Sequence, residues 1–296
     1  MIKKTLILLA AFGTATSVFA QADTVITSPS GSFTIGANTF NQASGSSLNG
    51  ASNFNAVGIL GDFATRSSFM YRQTGDTRER AISSATASFS STPNSWTAVI
   101  QRAVNNTGNA TLEFTLTHSI SNATATSPLL ISTVNVRNLD TVARGVTLFH
   151  YNDWDVPASA TETANTGNFD TIASNVVDAS GIRTRLADQA SGYFVETFAQ
   201  GATRYQHGAT YVPLFTNTVI NNLNNTITPG TSLAAAGIFE DCVVGMQWDE
   251  ITLGVGQSYS YTMMSAINAT AAPVPEPATL SVLGIGAVVA FLRRKK

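Results

Sequence analysis

The stretch Thr111-Leu-Glu-Phe-Thr-Leu-Thr-His-Ser-Ile120 carries a hydrophobic period of two residues. The apolar positions are Leu112, Phe114, Leu116 and Ile120, and the polar positions are Thr111, Glu113, Thr115, Thr117 and Ser119. Successive side chains of a β-strand point to opposite faces of the sheet. The stretch is therefore predicted to be a strand with one buried face and one solvated face.

The following segments repeat this period. A strand with Leu130, Val134 and Val136 on one side follows a polar connection at residues 121–128. Another covers residues 146–153 after a turn at residues 138–141, and a late strand alternates Tyr259, Tyr261 and Met263 with serine and threonine. Further strands are predicted at residues 32–35, 69–71, 85–89, 96–104, 192–198 and 239–248, and a helical turn is expected near residues 233–236.

Many short strands with turn residues between them are typical of an all-β protein. Two arrangements fit this pattern, a two-sheet antiparallel β-sandwich and a large barrel, and we favour the sandwich. Residues 21–272 show no proline-rich linker or charge run, so a single domain is expected there. The one cysteine, Cys242, cannot form an internal disulfide, so stability must come from burial of a core.

Charge is distributed unevenly along the chain. The four lysines are at positions 3, 4, 295 and 296, whereas residues 21–272 hold 17 acidic residues against ten arginines, a formal charge of about −7. A lysine-free, acidic domain lacks the clustered cations that phosphate backbones and anionic membrane faces require. Nucleic acid is therefore not an expected partner.

The N-terminal residues form a predicted signal peptide. Lys3 and Lys4 precede an apolar run at residues 6–12, and small residues lead up to Ala20. This order is typical of a secretory signal peptide, with cleavage expected between Ala20 and Gln21. The secretion translocon is accordingly an expected partner, and the region after residue 20 is expected to be exported.

Residues 273–296 combine three features in a fixed order. The proline-rich Pro273-Val-Pro-Glu-Pro277 precedes an apolar segment at residues 278–292, and Arg293-Arg-Lys-Lys296 follows it. The apolar segment is a predicted transmembrane helix of about 22 Å, against a hydrocarbon core of about 30 Å. It is thus short for a permanent anchor, although a plain C-terminal tail anchor is the alternative. The terminal cations act as a stop-transfer signal and stay cytoplasmic.

This C-terminal pattern resembles the PEP-CTERM sorting signal, which the membrane protease exosortase recognises and cuts. The motif residues are Val274, Pro275, Glu276 and Pro277, and the stop-transfer cations are Arg293, Arg294, Lys295 and Lys296. The resemblance implies a Gram-negative bacterium that makes exopolysaccharide. It also implies a precursor anchored in the inner membrane, followed by release to the cell surface or the extracellular matrix.

Three internal segments resemble extracellular β-sandwich domains that often precede this signal and mostly lack an assigned activity. They are Phe149-His-Tyr-Asn-Asp-Trp-Asp155, Asn222-Leu-Asn-Asn-Thr226 and Gly245-Met-Gln-Trp-Asp-Glu-Ile-Thr-Leu-Gly-Val-Gly-Gln257. No GxSxG motif, P-loop or GxGxxG motif beside a βα unit occurs in the sequence, so neither an enzymatic activity nor a cofactor is expected. A structural or adhesive role beside exopolysaccharide in a biofilm is expected, in which exposed hydroxyl and amide groups bind neutral sugars. A subunit of a surface filament or layer is a further alternative.

Tyr151, Asp153 and Asp155 form the densest polar cluster beside aromatic residues. On a straight strand these three side chains share a face, while His150 and Asn152 point to the other. Two carboxylates on one face could hold Ca²⁺ or bind a sugar that stacks on Tyr151. A strand end with solvated aspartates is the simpler interpretation.

Two acidic doublets, Glu240-Asp241 and Asp249-Glu250, flank the strand of Cys242 and Trp248. Paired carboxylates can hydrolyse a glycosidic bond, one as acid and one as nucleophile or base. A carbohydrate-active enzyme acting on matrix polysaccharide is therefore the alternative function, with these carboxylates and those of Asp153 and Asp155 as candidates. Charged ends that keep a strand from aggregating are the simpler interpretation.

The three histidines show none of the short spacings of a zinc site. His118 falls on the apolar face of its strand and His207 in a predicted turn, so buried hydrogen bonding explains the first without any function. Cys242 is expected to be a small core residue rather than a nucleophile. No metal site is predicted from these residues.

Overall fold

A computed structural model of the protein describes residues 24–35, 52–59, 66–76, 79–82, 88–103, 109–154, 156, 170–188, 191–209, 231–232 and 242–268. Within these residues the chain forms eighteen β-strands and no helix. The predicted all-β fold class is confirmed. The described part of the chain also contains no helix long and apolar enough to cross a membrane.

The largest sheet has eight strands. In chain order they are β6 (Ser88–Thr92), β7 (Ser95–Ala103), β8 (Ala110–Asn122), β9 (Pro128–Asn138), β11 (Asp170–Asp178), β12 (Gly181–Asp188), β13 (Phe194–Gln200) and β18 (Ser258–Ile267). Across the sheet the order is β11-β12-β13-β18-β9-β8-β7-β6, and every neighbouring pair is antiparallel. The late strand β18 thus lies in the middle, between β13 and β9.

The second sheet has seven strands. They are β4 (Arg66–Gln73), β5 (Arg80–Ala81), β10 (Arg144–Asp153), β14 (Arg204–Ala209), β15 (Thr231–Ser232), β16 (Cys242–Gln247) and β17 (Ile251–Leu253). The order is β15-β14-β16-β10-β4-β5, with β17 also paired to β10. The short β14·β15 pair is parallel, whereas the other pairs are antiparallel.

A small third sheet corrects the expectation of two sheets. It consists of β1 (Thr24–Ser28), β2 (Gly31–Ile35) and β3 (Ser52–Ala56) in sequential order. The Thr27 amide donates to the Pro93 carbonyl at 2.8 Å, and Ser30 Oγ donates to Asn122 Oδ1 at 2.6 Å. These bonds attach the small sheet to the β6–β7 turn and to the end of β8.

The inner faces of the two large sheets enclose one hydrophobic core. Tyr71 of β4 contacts Phe114 of β8 with ring centroids 4.7 Å apart, and Trp248 contacts Tyr261 of β18 at 5.6 Å. The same buried cluster includes apolar side chains from all three sheets. Burying one such large side chain contributes about 1.5–3 kcal/mol, so this shared core dominates the stability of the fold.

Most of the predicted strands are present. The strands expected around residues 112–120, 130–137, 146–153 and 259–267 correspond to β8, β9, β10 and β18. The hairpin β11–β12 and the strands β1, β3, β5, β14, β15 and β17 are not predicted, and the turn expected at His207 is wrong, because His207 lies within β14. The helical turn expected near residues 233–236 lies outside the described residues.

Candidate functional site

The outer face of the eight-stranded sheet carries two polar features, each continuous across several strands. We call Arg183, Arg185 and Glu196 the charged cluster. We call Ser90, Thr97, Thr117, Thr133 and Thr262 the hydroxyl row. Both point away from the core, because the neighbouring residues along each strand, such as Trp96, Phe114 and Tyr261, are buried between the sheets.

The charged cluster joins β12 and β13. Glu196 is buried and receives a hydrogen bond from Arg183 Nη1 at 2.5 Å and two from Arg185, Nη2 at 2.6 Å and Nε at 3.1 Å. Direct pairing of Arg185 with Glu196 in the strand register makes this geometry possible. The two guanidinium groups compensate the charge of the buried carboxylate. Without such partners the burial of a charged group would be strongly unfavourable.

Aromatic rings support both arginines. The Arg183 guanidinium lies 4.9 Å from the Phe198 ring centroid, and that of Arg185 lies 4.2 Å from the Phe194 centroid. Phe198 also belongs to a second apolar cluster on this outer face, together with Leu129, Met264 and Ala266. The charged cluster therefore lies beside apolar and aromatic side chains, and its one carboxylate is paired with both arginines.

The hydroxyl row crosses five adjacent strands in register. Ser90 of β6 pairs with Thr97 of β7, Thr97 with Thr117 of β8, Thr117 with Thr133 of β9, and Thr133 with Thr262 of β18. The Oγ1 atoms of Thr97 and Thr117 lie 3.2 Å apart and share a hydrogen bond. Ser90 is exposed and the four threonines are partly exposed, so the row is in contact with solvent.

Polar residues flank the hydroxyl row on the same face. Thr115, Asn135 and Ser260 lie two residues further along their strands, and Asn135 Nδ2 donates to Ser260 Oγ at 2.9 Å. Beyond them, Glu113 accepts a hydrogen bond from Gln101 at 2.9 Å and lies 4.0 Å from Arg137. This half of the face presents hydroxyl and amide groups with no net charge.

Two histidines are buried between the sheets. His118 Nδ1 lies 2.8 Å from Ser132 Oγ, and burial lowers the pKa of His118 to about 4. Burial, with a smaller contribution from His118, also places the pKa of His150 well below its usual value. Both imidazoles are therefore neutral at pH 7 and serve the core, as expected for His118.

The structure locates one of the three predicted ligand residues in detail. Tyr151 is buried on the outer side of β10, and its neighbour His150 points into the core, as alternation predicted. Asp153 ends the same strand, but its side chain and all of Asp155 lie outside the described residues. A ligand site at these three residues stays a prediction.

The other candidate residues are dispersed. Asp249 and Glu250 are exposed after β16, and Asp249 accepts a hydrogen bond from Thr203 at 2.8 Å. Glu240 and Asp241 lie outside the described residues, as do the side chains of Cys242 and His207. Within the described residues no group of three or more His, Cys, Asp or Glu side chains could hold a metal ion.

The signal-peptide cleavage site at Ala20 and Gln21 and the C-terminal sorting residues also lie outside the described residues. For the C-terminus, a comparison with protein families supplies an independent test. The PEP-CTERM protein-sorting motif matches residues 273–296, so the predicted sorting signal is confirmed. This motif indicates an exported protein whose precursor is anchored in the membrane and processed by an exosortase-type membrane protein. No curated protein matches the chain.

A comparison with solved structures finds similar proteins. A galactose mutarotase related enzyme from Lactobacillus acidophilus has a TM-score of 0.50 at 8% identity, over 86% of this chain and 100% of that chain. A galactose mutarotase-like protein from Lactobacillus casei gives a TM-score of 0.44 at 7% identity, over 83% and 100%. An aldose epimerase homologue from C. elegans gives 0.41 at 8% identity, over 84% and 99%.

The expectation that the chain is not an enzyme is thereby corrected. It rested on the lack of a known catalytic motif in the sequence, whereas the described strands adopt the fold of a galactose mutarotase related enzyme. At a sequence identity of 8%, the similarity is limited to the fold. The catalytic residues of that enzyme are not assigned to this chain, because proteins that share a fold differ in their functional sites.

Proposed function

We propose that this protein is an exported, carbohydrate-active protein of the cell surface or extracellular matrix. It is delivered as a PEP-CTERM precursor, cut by an exosortase-type protease, and acts on saccharides associated with exopolysaccharide or biofilm. The observation that carries the proposal is the fold, which is that of a galactose mutarotase related enzyme over 86% of the chain. Carbohydrate is also the substrate class that the uncharged hydroxyl row and the hydroxyl and amide groups beside it suit best.

The charge distribution supports a neutral partner. Residues 21–272 contain no lysine and are acidic overall, and on the outer face of the eight-stranded sheet Glu196 and Glu113 are both paired with arginines. Anionic polymers would be repelled by the excess of carboxylates. A neutral sugar instead offers hydroxyls that both donate and accept hydrogen bonds, as threonine and serine do.

Processing is tested on the protein expressed in its native host. Intact mass and C-terminal peptide analysis should find a form that begins near Gln21 and ends between Val274 and Pro277 in the envelope or culture fluid. A variant with Pro275→Ala and Glu276→Ala should keep its tail and stay in the inner membrane. A wild-type protein that retains Arg293 to Lys296 in the inner membrane would contradict export by this route.

Activity is tested on the processed protein. Polarimetry of freshly dissolved α-D-galactose and α-D-glucose follows anomer interconversion, and affinity electrophoresis through gels that contain a neutral polysaccharide follows binding. We expect either a mutarotation rate above that of the heat-denatured protein or retarded migration in the gel. A protein that neither accelerates mutarotation nor binds any neutral polysaccharide, including the exopolysaccharide of its host, would refute the proposal.

A further inference from the structure

The hydroxyl row is more regular than a chance scatter of polar residues on a solvated sheet. Its five members share one register line across β6, β7, β8, β9 and β18, and four of them are threonine. Neighbouring strands are about 4.8 Å apart, so the row presents a hydroxyl at each step over about 19 Å. One hydroxyl-bearing residue on each of five neighbouring strands makes a repeating surface.

Threonine makes this surface rigid. Branching at Cβ restricts χ1, and the backbone of a central strand is held by hydrogen bonds on both sides, so each hydroxyl has little freedom to lose on binding. The shared hydrogen bond between Thr97 and Thr117 orients two of the hydroxyls further. Each hydroxyl offers one donor and two acceptor lone pairs, which matches the hydroxyls of a sugar ring.

A second row widens the surface. Thr115, Asn135 and Ser260 run parallel to the hydroxyl row at about 7 Å, two residues along each strand. The bond from Asn135 Nδ2 to Ser260 Oγ fixes the amide so that its oxygen is directed away from that contact. The two rows together form a strip that one extended polymer chain can cover.

We propose that the hydroxyl row and its flanking row form a binding platform for an extended, neutral polysaccharide whose chain runs across the strands. The inference rests on the proposed carbohydrate function and names its substrate class and its binding surface. Successive rings of an extended polysaccharide advance by nearly the spacing between strands, so consecutive sugars meet consecutive hydroxyls. Because the row lacks charge, each contact is weak, and affinity comes from the number of sugars bound at once.

The test measures dissociation constants of the processed protein for hydroxyethyl cellulose and for cello-oligosaccharides of increasing length. Affinity should rise with each added sugar until the oligosaccharide spans the row and then level off. The double variant Thr117→Val and Thr133→Val keeps branched side chains of the same size but removes two hydroxyls. It should bind about tenfold more weakly, since two hydrogen bonds are lost.

Two control variants separate binding from folding. Thr117→Ser keeps a hydroxyl at this position and should bind like the wild type. Thr252→Val removes an exposed hydroxyl on β17 of the other sheet and should leave the affinity unchanged. Unfolding temperatures of all variants should agree within a few degrees. If the double variant folds and binds as tightly as the wild type, or if affinity does not depend on chain length, the platform is refuted.

The failure of the platform and the failure of the proposed function differ in outcome. Retained binding in the double variant refutes the platform and leaves the carbohydrate function standing. A wild-type protein that binds no polysaccharide but accelerates mutarotation refutes only the platform, whereas loss of both activities refutes both proposals. Self-association that the double variant abolishes, without any polysaccharide binding, would identify the row as a protein interface and overturn the inference.

Discussion

At the scale of single residues, burial fixes the chemical state of the histidines. His118 lies in the core with its Nδ1 beside Ser132, and burial lowers the pKa of His118 to about 4, from 6.5. The unfolded chain therefore takes up a proton in a pH range where the folded chain does not. Stability must then fall as the pH drops through this range.

The free energy of unfolding should decrease between about pH 6.5 and pH 4. The folded pKa of His118 is depressed, so its contribution is complete above the unfolded pKa and is lost progressively towards the folded value. The loss from this residue is up to about 3 kcal/mol. His150, whose pKa is also lowered, contributes in the same direction. Urea denaturation at several pH values measures the effect.

The variant His118→Asn isolates the contribution of one imidazole. Asparagine places a polar atom near the position of Nδ1 and can keep a hydrogen bond to Ser132, but it does not titrate. The decline with falling pH should therefore be shallower in this variant, while the contribution of His150 remains in both proteins. Equal declines in wild type and variant would show that His118 is not the titrating group.

The two glutamates of the outer face should respond differently to neutralisation. Glu196→Gln leaves two arginines beside a buried amide that cannot compensate their charge, so we expect a loss of about 3 kcal/mol in the free energy of unfolding. Glu113→Gln weakens a partly exposed ion pair with Arg137 while an amide oxygen can still accept the hydrogen bond from Gln101, so it should cost less than about 1 kcal/mol. Chemical denaturation of both variants compares them, and equal losses would contradict the burial of Glu196 as the cause.

At the scale of elements, the hairpin of β11 and β12 positions the charged cluster. Asp178 at its turn accepts hydrogen bonds from the Ser180 amide at 2.7 Å and from its hydroxyl. Gly181 follows with a positive φ of 141°, where a Cβ would lie 2.1 Å from the Ala199 carbonyl oxygen of β13. Only glycine allows β12 to approach β13 this closely, and this approach brings Arg183 and Arg185 to Glu196.

Gly181→Ala should therefore destabilise the protein more than Gly192→Ala. Gly192 also has a positive φ, of 70°, but it lies near the left-handed region and has nothing within 4 Å of its missing Cβ, which makes it a control without a clash. We expect about 1 kcal/mol for Gly192→Ala from backbone strain, and at least about 2 kcal/mol more for Gly181→Ala from the clash and the greater strain at a φ of 141°. Thermal unfolding of both variants measures this difference. Similar unfolding temperatures would argue against a close approach of β12 and β13.

The sequence predicts some elements far better than others. Alternation alone identifies β8, β9, β10 and β18, since each has one buried and one polar face over many residues. The hairpin β11–β12 was missed although Ile182, Thr184 and Leu186 alternate with two arginines after an Asp-Ala-Ser-Gly turn. Thr184 faces the core, and a polar residue at a buried position interrupts the hydrophobic alternation that would otherwise predict the strand.

The candidate site was beyond prediction because it depends on strand register. Thr97, Thr117, Thr133 and Thr262 are each visible in the sequence as polar positions of a strand. Their alignment in one row requires β18 to lie beside β9, a pairing of residues more than a hundred positions apart. The alternation in a sequence predicts which face of the sheet each side chain lies on, but not which residue lies beside it on the neighbouring strand.

At the scale of the whole molecule, the chain combines a sorting signal with a fold similar to that of a galactose mutarotase related enzyme. The sorting motif at residues 273–296 indicates export, and the described strands place one core between two large sheets and leave an uncharged platform outside. The absence of lysine from residues 21–272 fits a surface that neither nucleic acid nor an anionic membrane would hold. The proposed partner, a neutral sugar polymer, is consistent with both the sorting signal and the proposed platform.

The most direct test of this function is a titration calorimetry experiment with the processed protein, isolated from its native host, and the purified exopolysaccharide of that host. We predict a saturable heat of binding for the wild type, weakened about tenfold by Thr117→Val with Thr133→Val. The variant Thr252→Val should match the wild type. No heat of binding with this or any other neutral polysaccharide, from a protein that also fails to accelerate mutarotation, would contradict a carbohydrate-active protein.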